Sequence, residues 1–251
     1  MKKTMLSITV LLFATILFSC NPDNPDDSTS VKKISIMGDS YSTFEGWSNI
    51  DMEGNPNEFW VYYPHEGNTD VTTVEKTWWY MLCQKPEFEL EISNSYSGPV
   101  VSNTHYNGVD VTDSDLSFMH RVGENAYGVD YNGDPDIILV FGGTNDCWAG
   151  VALGDYVYDN WTDADLKCFR PAFSKLLASL QTLYPDATVY SITNRNDDIL
   201  GLTKPYAKSI EKVCKHYGVT NIVLKDIEKT DGHPTYKGMQ SICEQVYEVL
   251  K

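Results

Sequence analysis

The sequence predicts a three-layer α/β/α sandwich built on a central, mostly parallel five-stranded sheet. Three observations carry that expectation. From Lys33 onward, short apolar runs alternate with helix-period patterns and no break in composition intervenes. The stretch Asp136-Ile137-Ile138-Leu139-Val140-Phe141 is continuously apolar after its first residue, which suits a strand buried on both faces of a parallel sheet. Near the C-terminus Tyr236, Met239, Ile242, Val246 and Val249 recur at steps of three or four, the period of a helix packed along one face.

Ahead of the sandwich, Lys2 and Lys3 precede an uncharged, mostly apolar run over residues 5–19. That run is shorter than the roughly 20 residues of a membrane span, so residues 1–19 read as a signal peptide. Its end, Leu17-Phe18-Ser19-Cys20, resembles the lipobox of bacterial lipoproteins, which implies that Cys20 is lipidated and ties the chain to a membrane. Residues 20–31 then form a flexible linker, polar from Asn21 to Ser30. The acidic residues after Cys20 resemble surface-export signals of Gram-negative lipoproteins. The expected location is therefore the cell envelope, lipid-anchored at the outer membrane, with the periplasmic and the external face both left open.

Within the remaining domain, residues 32–251, strands are expected over 33–37, 88–92, 136–141, 188–192 and 221–224. Helices fall between them. Residues 75–84 carry Trp78, Trp79, Met81 and Leu82 on one pattern, and 203–217 carry Tyr206, Ile210, Val213 and Cys214. Thr162 followed by Asp165 looks like a capping box opening a helix towards Leu183, with Pro171 as a kink or restart. Pro234 is expected in the first turn of the last helix. The segment from Asp130 to Asp136 resembles the start of a calcium loop, but Pro135 stands where glycine is needed and no Glu occupies the twelfth position, so it reads as a turn.

Composition narrows function. Nineteen basic against 35 acidic residues give a net charge of −16, which repels phosphate backbones and anionic headgroups and argues against nucleic acid as a partner. After Cys20 the cysteines are Cys83, Cys147, Cys168, Cys214 and Cys243, an odd number with no C-x-x-C pair. They read as thiols, with room for one disulfide, and not as a zinc site. His65, His105, His120 and His216 lack ligand spacing and read as surface or core residues, and no phosphate loop or nucleotide fingerprint is present. No metal or cofactor is expected.

In parallel sheets ligands bind beyond the carboxyl ends of the strands. The loops there hold Gly38-Asp39-Ser40 after the first strand, Ser97-Gly98 after the second, and Gly142-Gly143-Thr144-Asn145-Asp146 after the third. Asp231-Gly232-His233-Pro234 precedes the last helix. Serine, histidine and an amide flanked by glycines are the parts of an acyl-transfer site: nucleophile, general base and oxyanion donors.

In that order and placement the four elements resemble the SGNH (GDSL-type) hydrolases, whose sandwich is flavodoxin-like, from about Lys33 to the end of the chain. The stretch from Gly38 to Gly46, Tyr62-Tyr63-Pro64, Trp78-Trp79 and Asn94-Ser95-Tyr96-Ser97-Gly98 also look like a bacterial lipoprotein subgroup of that family. The resemblance implies Ser40 as nucleophile, His233 as general base, and an oxyanion hole formed by the N–H of Ser40, the N–H of Gly98 and the side-chain amide of Asn145. Asp39 and Asp146 are expected to fix loops.

One position departs from the family pattern. The aspartate expected three residues before the histidine is replaced by Thr230, and Asp231 stands two before. Asp231 becomes the orienting carboxylate if Gly232 lets the loop fold tightly, and the alternative is a Ser-His dyad oriented by a main-chain carbonyl. Aromatic residues crowd the same loops, Tyr41, Trp47, Trp60, Tyr62 and Tyr63 in one and Trp148, Tyr156, Tyr158 and Trp161 in another, as sugar-stacking surfaces or as core. The expectation is a serine esterase for small acyl esters, acetyl esters of carbohydrates among them. A lipase or thioesterase-like hydrolase for longer chains, and a non-catalytic glycan-binding lipoprotein, are the alternatives.

Overall fold

The computed structural model describes residues 30–48, 54–55, 60–64, 69–125, 127–195 and 202–251. The expected signal peptide, Cys20 and the expected linker as far as residue 29 lie outside them. Five strands, Lys32–Gly38 (β1), Phe88–Ser95 (β2), Ile137–Phe141 (β3), Thr188–Asn194 (β4) and Thr220–Leu224 (β5), pair in the order β2-β1-β3-β4-β5. Every pairing is parallel, so the sheet is wholly and not merely mostly parallel. The α-helices are Trp78–Cys83 (α1), Thr144–Trp148 (α2), Phe169–Leu183 (α3), Lys204–Tyr217 (α4) and Tyr236–Leu250 (α5).

All of β3 is buried, and its alternation divides the core. Ile137, Leu139 and Phe141 face the layer that holds Trp78 and Trp79 of α1 and Met239, Ile242 and Val246 of α5. Ile138 and Val140 face Phe173, Leu176 and Leu177 of α3 with Ile210 and Val213 of α4. Each such side chain contributes about 1.5–3 kcal/mol on burial. The chain runs from β1 outward to β2 and later returns to β3 on the other side of β1, so strand order reverses there, the position at which open parallel sheets place ligands.

Three expectations change. The helix over 75–84 is a 3-10 turn, Val74–Lys76, followed by α1, because Thr77 is extended and caps α1 by accepting from Tyr80 N. The Thr162–Asp165 box forms, with Thr162 N donating to Asp165 Oδ2 at 2.9 Å, but it opens only the 3-10 turn Asp165–Lys167. Helix α3 then restarts at Phe169 with Pro171 in its first turn, where a missing N–H leaves no bond unmade. Pro234 lies outside α5, which begins at Tyr236 with Thr235 as its cap accepting from Gly238 N at 3.2 Å. The five cysteines are free thiols, so the possible disulfide does not form.

Candidate active site

The turn that carries Ser40 grows directly out of β1. Asp39 Oδ1 accepts from Tyr41 N at 3.0 Å and caps the 3-10 turn Ser40–Ser42. Asp39 N donates to Phe141 O at 3.0 Å and Tyr96 N donates to Gly38 O at 3.3 Å, so the loops after β3 and β2 are stitched to the end of β1. Glycine is required at 38, since a Cβ there would lie 2.6 Å from the Cβ of Ser42 and 2.7 Å from Ser95 Oγ. Burial pushes the Asp39 carboxyl up to about 6, against the opposing bond from Tyr41 N.

His233 stands on a hairpin. Lys229–Thr230 (β6) pairs antiparallel with His233–Pro234 (β7), and the connecting residues Asp231 (φ 48°) and Gly232 (φ 80°) are both left-handed. A two-residue loop with positive φ at both positions is the type I′ geometry that Asp-Gly favours. This hairpin takes up Pro234 and delays the helix. His233 Nε2 lies 3.0 Å from Ser40 Oγ, and Nδ1 lies 3.1 Å from the main-chain carbonyl of Asp231. With its proton on Nδ1, the ring donates to that carbonyl and accepts the Ser40 hydroxyl proton at Nε2. Asp231 itself is exposed, and among the described residues no hydrogen bond joins its carboxylate to the ring.

Tyrosines hold the hairpin in place. Tyr41 OH donates to Gly232 O at 2.7 Å and Tyr63 OH donates to Pro234 O at 2.8 Å. Lys229 Nζ donates to Tyr41 OH at 3.0 Å, and burial lowers its ammonium to about 8 while the charge on Asp39 opposes that shift.

Gly98 follows β2, and Asn145 follows β3. Gly98 has φ 83°, and the space a Cβ would occupy there is open, so a substrate can approach its backbone. Its carbonyl is 2.8 Å from His105 Nε2. Asn145, in the first turn of α2, is 5% exposed, and its Nδ2 is buried without a partner among the described residues. Its Oδ1 accepts from Tyr106 OH at 3.5 Å, which turns Nδ2 the other way. Asp146 accepts from Val101 N at 2.8 Å and Ser102 N at 2.9 Å, lashing α2 to the loop that bears Gly98. Burial raises the Asp146 carboxyl, with these two bonds opposing. A buried donor left unpaired costs about 1–3 kcal/mol.

Ser40 and His233 are thus brought into direct contact, while Gly98 on its loop and Asn145 in the first turn of α2 are tied together through Asp146. The expected loop-fixing by Asp39 and Asp146 is present. Of the aromatic residues, Tyr41 and Tyr63 are core, Trp47 packs on Trp79 and Tyr80, and Tyr158 stacks on His216. Trp148 meets the His233 ring edge to face at 6.3 Å, and Trp60, 57% exposed, accepts from Ser97 N beside Gly98. His105 reads from the sequence only as a surface or core residue and Tyr106 carries no signal, because seven and 39 residues separate them from the partners they support and no periodicity links them. Among the described residues no cluster of His, Cys, Asp or Glu is placed to hold a metal.

A family model for GDSL-like lipase/acylhydrolase matches residues 32–250. No curated protein matches the chain. Among solved structures, the chain is 48% identical to one from Bacteroides uniformis described as a GDSL-like lipase, covering 88% of this chain and 95% of that one at a TM-score of 0.75. A second, from Bacteroides ovatus and described likewise, is 41% identical over 88% and 98% of the two chains at a TM-score of 0.76. A family two carbohydrate esterase from Clostridium thermocellum, solved with cellohexaose, shares the fold at 16% identity and a TM-score of 0.54, over 88% of this chain and 63% of that one.

Proposed function

Because the chain belongs to the GDSL-like lipase/acylhydrolase family and is a hydrolase acting on ester bonds, we propose that it is a serine esterase for small acyl esters, acetyl esters of carbohydrates among them. The observation that carries this reading is the 3.0 Å contact between His233 Nε2 and Ser40 Oγ. His233 takes the Ser40 proton as Oγ attacks the ester carbonyl, then gives it to the leaving alcohol. The oxyanion is held by the N–H groups of Ser40 and Gly98 and by Asn145 Nδ2. Water, activated by the same imidazole, releases the acyl group from Ser40.

Exposed Trp60, beside the Gly98 loop, supports a sugar as the alcohol, since an indole face stacks on a pyranose ring. The net charge of −16 favours neutral substrates over anionic ones. Profiling purified protein on aryl esters of increasing acyl length tests the substrate class. Acetyl and propionyl esters should exceed octanoyl esters in kcat/KM by at least about tenfold, the discrimination that excluding several methylenes can supply. A rise with chain length would favour the lipase reading.

For orientation of the base, the Asp231 carbonyl supports the dyad. Asp231→Asn should therefore cost less than about tenfold in kcat, because Asn tolerates positive φ and leaves the carbonyl in place. A loss towards the roughly 10⁴-fold seen when a triad aspartate is amidated would restore the carboxylate to the mechanism.

Lipid anchoring through Cys20 at the outer membrane is part of the same proposal, supported by the leader and lipobox resemblance. Cys20→Ser should move the protein from the detergent to the aqueous phase on fractionation. Unchanged partitioning would remove the anchor.

A further inference from the structure

We propose that Tyr62 is a positioning residue for His233, holding the imidazole plane so that Nε2 stays on Ser40 while Nδ1 stays on the Asp231 carbonyl. The two rings lie parallel, with centroids 3.4 Å apart and planes 6° from one another. Hydrogen bonds in the plane of an imidazole do little to fix the tilt of that plane, whereas a full-face stack opposes rotation about the Cβ–Cγ bond directly. Tyr41 closes the arrangement with an edge-to-face contact at 5.4 Å and 78°. The face of Tyr62 also carries the negative side of its quadrupole towards the ring that becomes imidazolium during acyl transfer.

The platform is itself tied to the nucleophile. Tyr62 N donates to Thr43 Oγ1 at 2.8 Å, and Thr43 Oγ1 donates to Ser40 O at 3.0 Å. Its neighbour Tyr63 is fully buried and grips the hairpin through Pro234 O. One dipeptide therefore fixes the base relative to the serine from both sides. A ring contact does this work where a carboxylate does it in a triad.

The inference rests on Ser40 and His233 acting as proposed above. Its test compares Tyr62→Leu and Tyr62→Phe on an aryl acetate, with Ser40→Ala measured alongside. Tyr62→Leu should lower kcat by about tenfold to a hundredfold, the cost of a loosely held base, with KM changed less than about twofold. Tyr62→Phe should keep kcat within about twofold of the parent, since the face remains. If Tyr62→Leu does not fold, Tyr62→Met replaces it under the same expectations. Parental kcat without the ring, a loss confined to KM, or equal damage from Phe and Leu would each overturn the assignment. Ser40→Ala separates the two readings: an active Ser40→Ala removes the esterase mechanism itself, whereas an inactive Ser40→Ala beside a fully active Tyr62→Leu removes only Tyr62.

Discussion

Ser40→Ala is expected to lower turnover of a short-chain aryl ester by at least about three orders of magnitude, because in the proposed mechanism the variant loses the atom on which the acyl-enzyme forms. Stability should scarcely move. The neighbours of Ser40 hold its main chain, through the bonds of Thr43 to Ser40 O, and Asp39 caps the turn independently of the hydroxyl. The one side-chain bond lost, to His233, has a net worth of about 0.5–1.5 kcal/mol, a few degrees of melting temperature for a domain of this size. Initial rates and thermal unfolding on the same preparation check both halves. Activity above a tenth of the parent would remove the nucleophile, and a collapse of stability would make the rate uninformative about chemistry.

Asn145→Ala should cost roughly 10²- to 10³-fold in kcat, the range for one lost oxyanion donor. The structure sharpens this expectation, because Asn145 Nδ2 is buried without a partner among the described residues. Removing a donor that no protein atom satisfies should leave unfolding temperature unchanged or slightly higher, even as turnover falls. That opposite movement of activity and stability distinguishes a group kept for a transition state from one kept for packing. A change confined to KM would show that Asn145 only binds substrate.

The parts of this site that could be read from the chain share a physical trait. β3 is buried on both faces, so its whole run Ile137-Ile138-Leu139-Val140-Phe141 had to be apolar, and α5 packs one face at helical period. Ser40 and Asn145 were legible because each follows such a strand within a few residues, where the topology puts ligands. The hairpin was not. Two-residue strands have no periodicity, and Pro234 gave a helix-start signal that competed with the Asp-Gly turn signal of Asp231 and Gly232. Counting residues back from His233 likewise identified Asp231 as its neighbour but not the atom that faces the ring, since left-handed φ at Asp231 turns the carbonyl there. Tyr62, His105 and Tyr106 act across the fold on partners that local pattern cannot name.

Reaction with a fluorophosphonate followed by peptide mass mapping interrogates the nucleophile directly. Only an activated serine with a poised base displaces the fluoride and keeps the phosphonyl group. A single adduct on the peptide carrying Ser40, lost or slowed at least about a hundredfold in His233→Ala, is the result expected from the 3.0 Å contact between the two side chains. No adduct, or one on another residue of the folded protein, would contradict the assignment of Ser40 and His233 as the pair that performs ester hydrolysis.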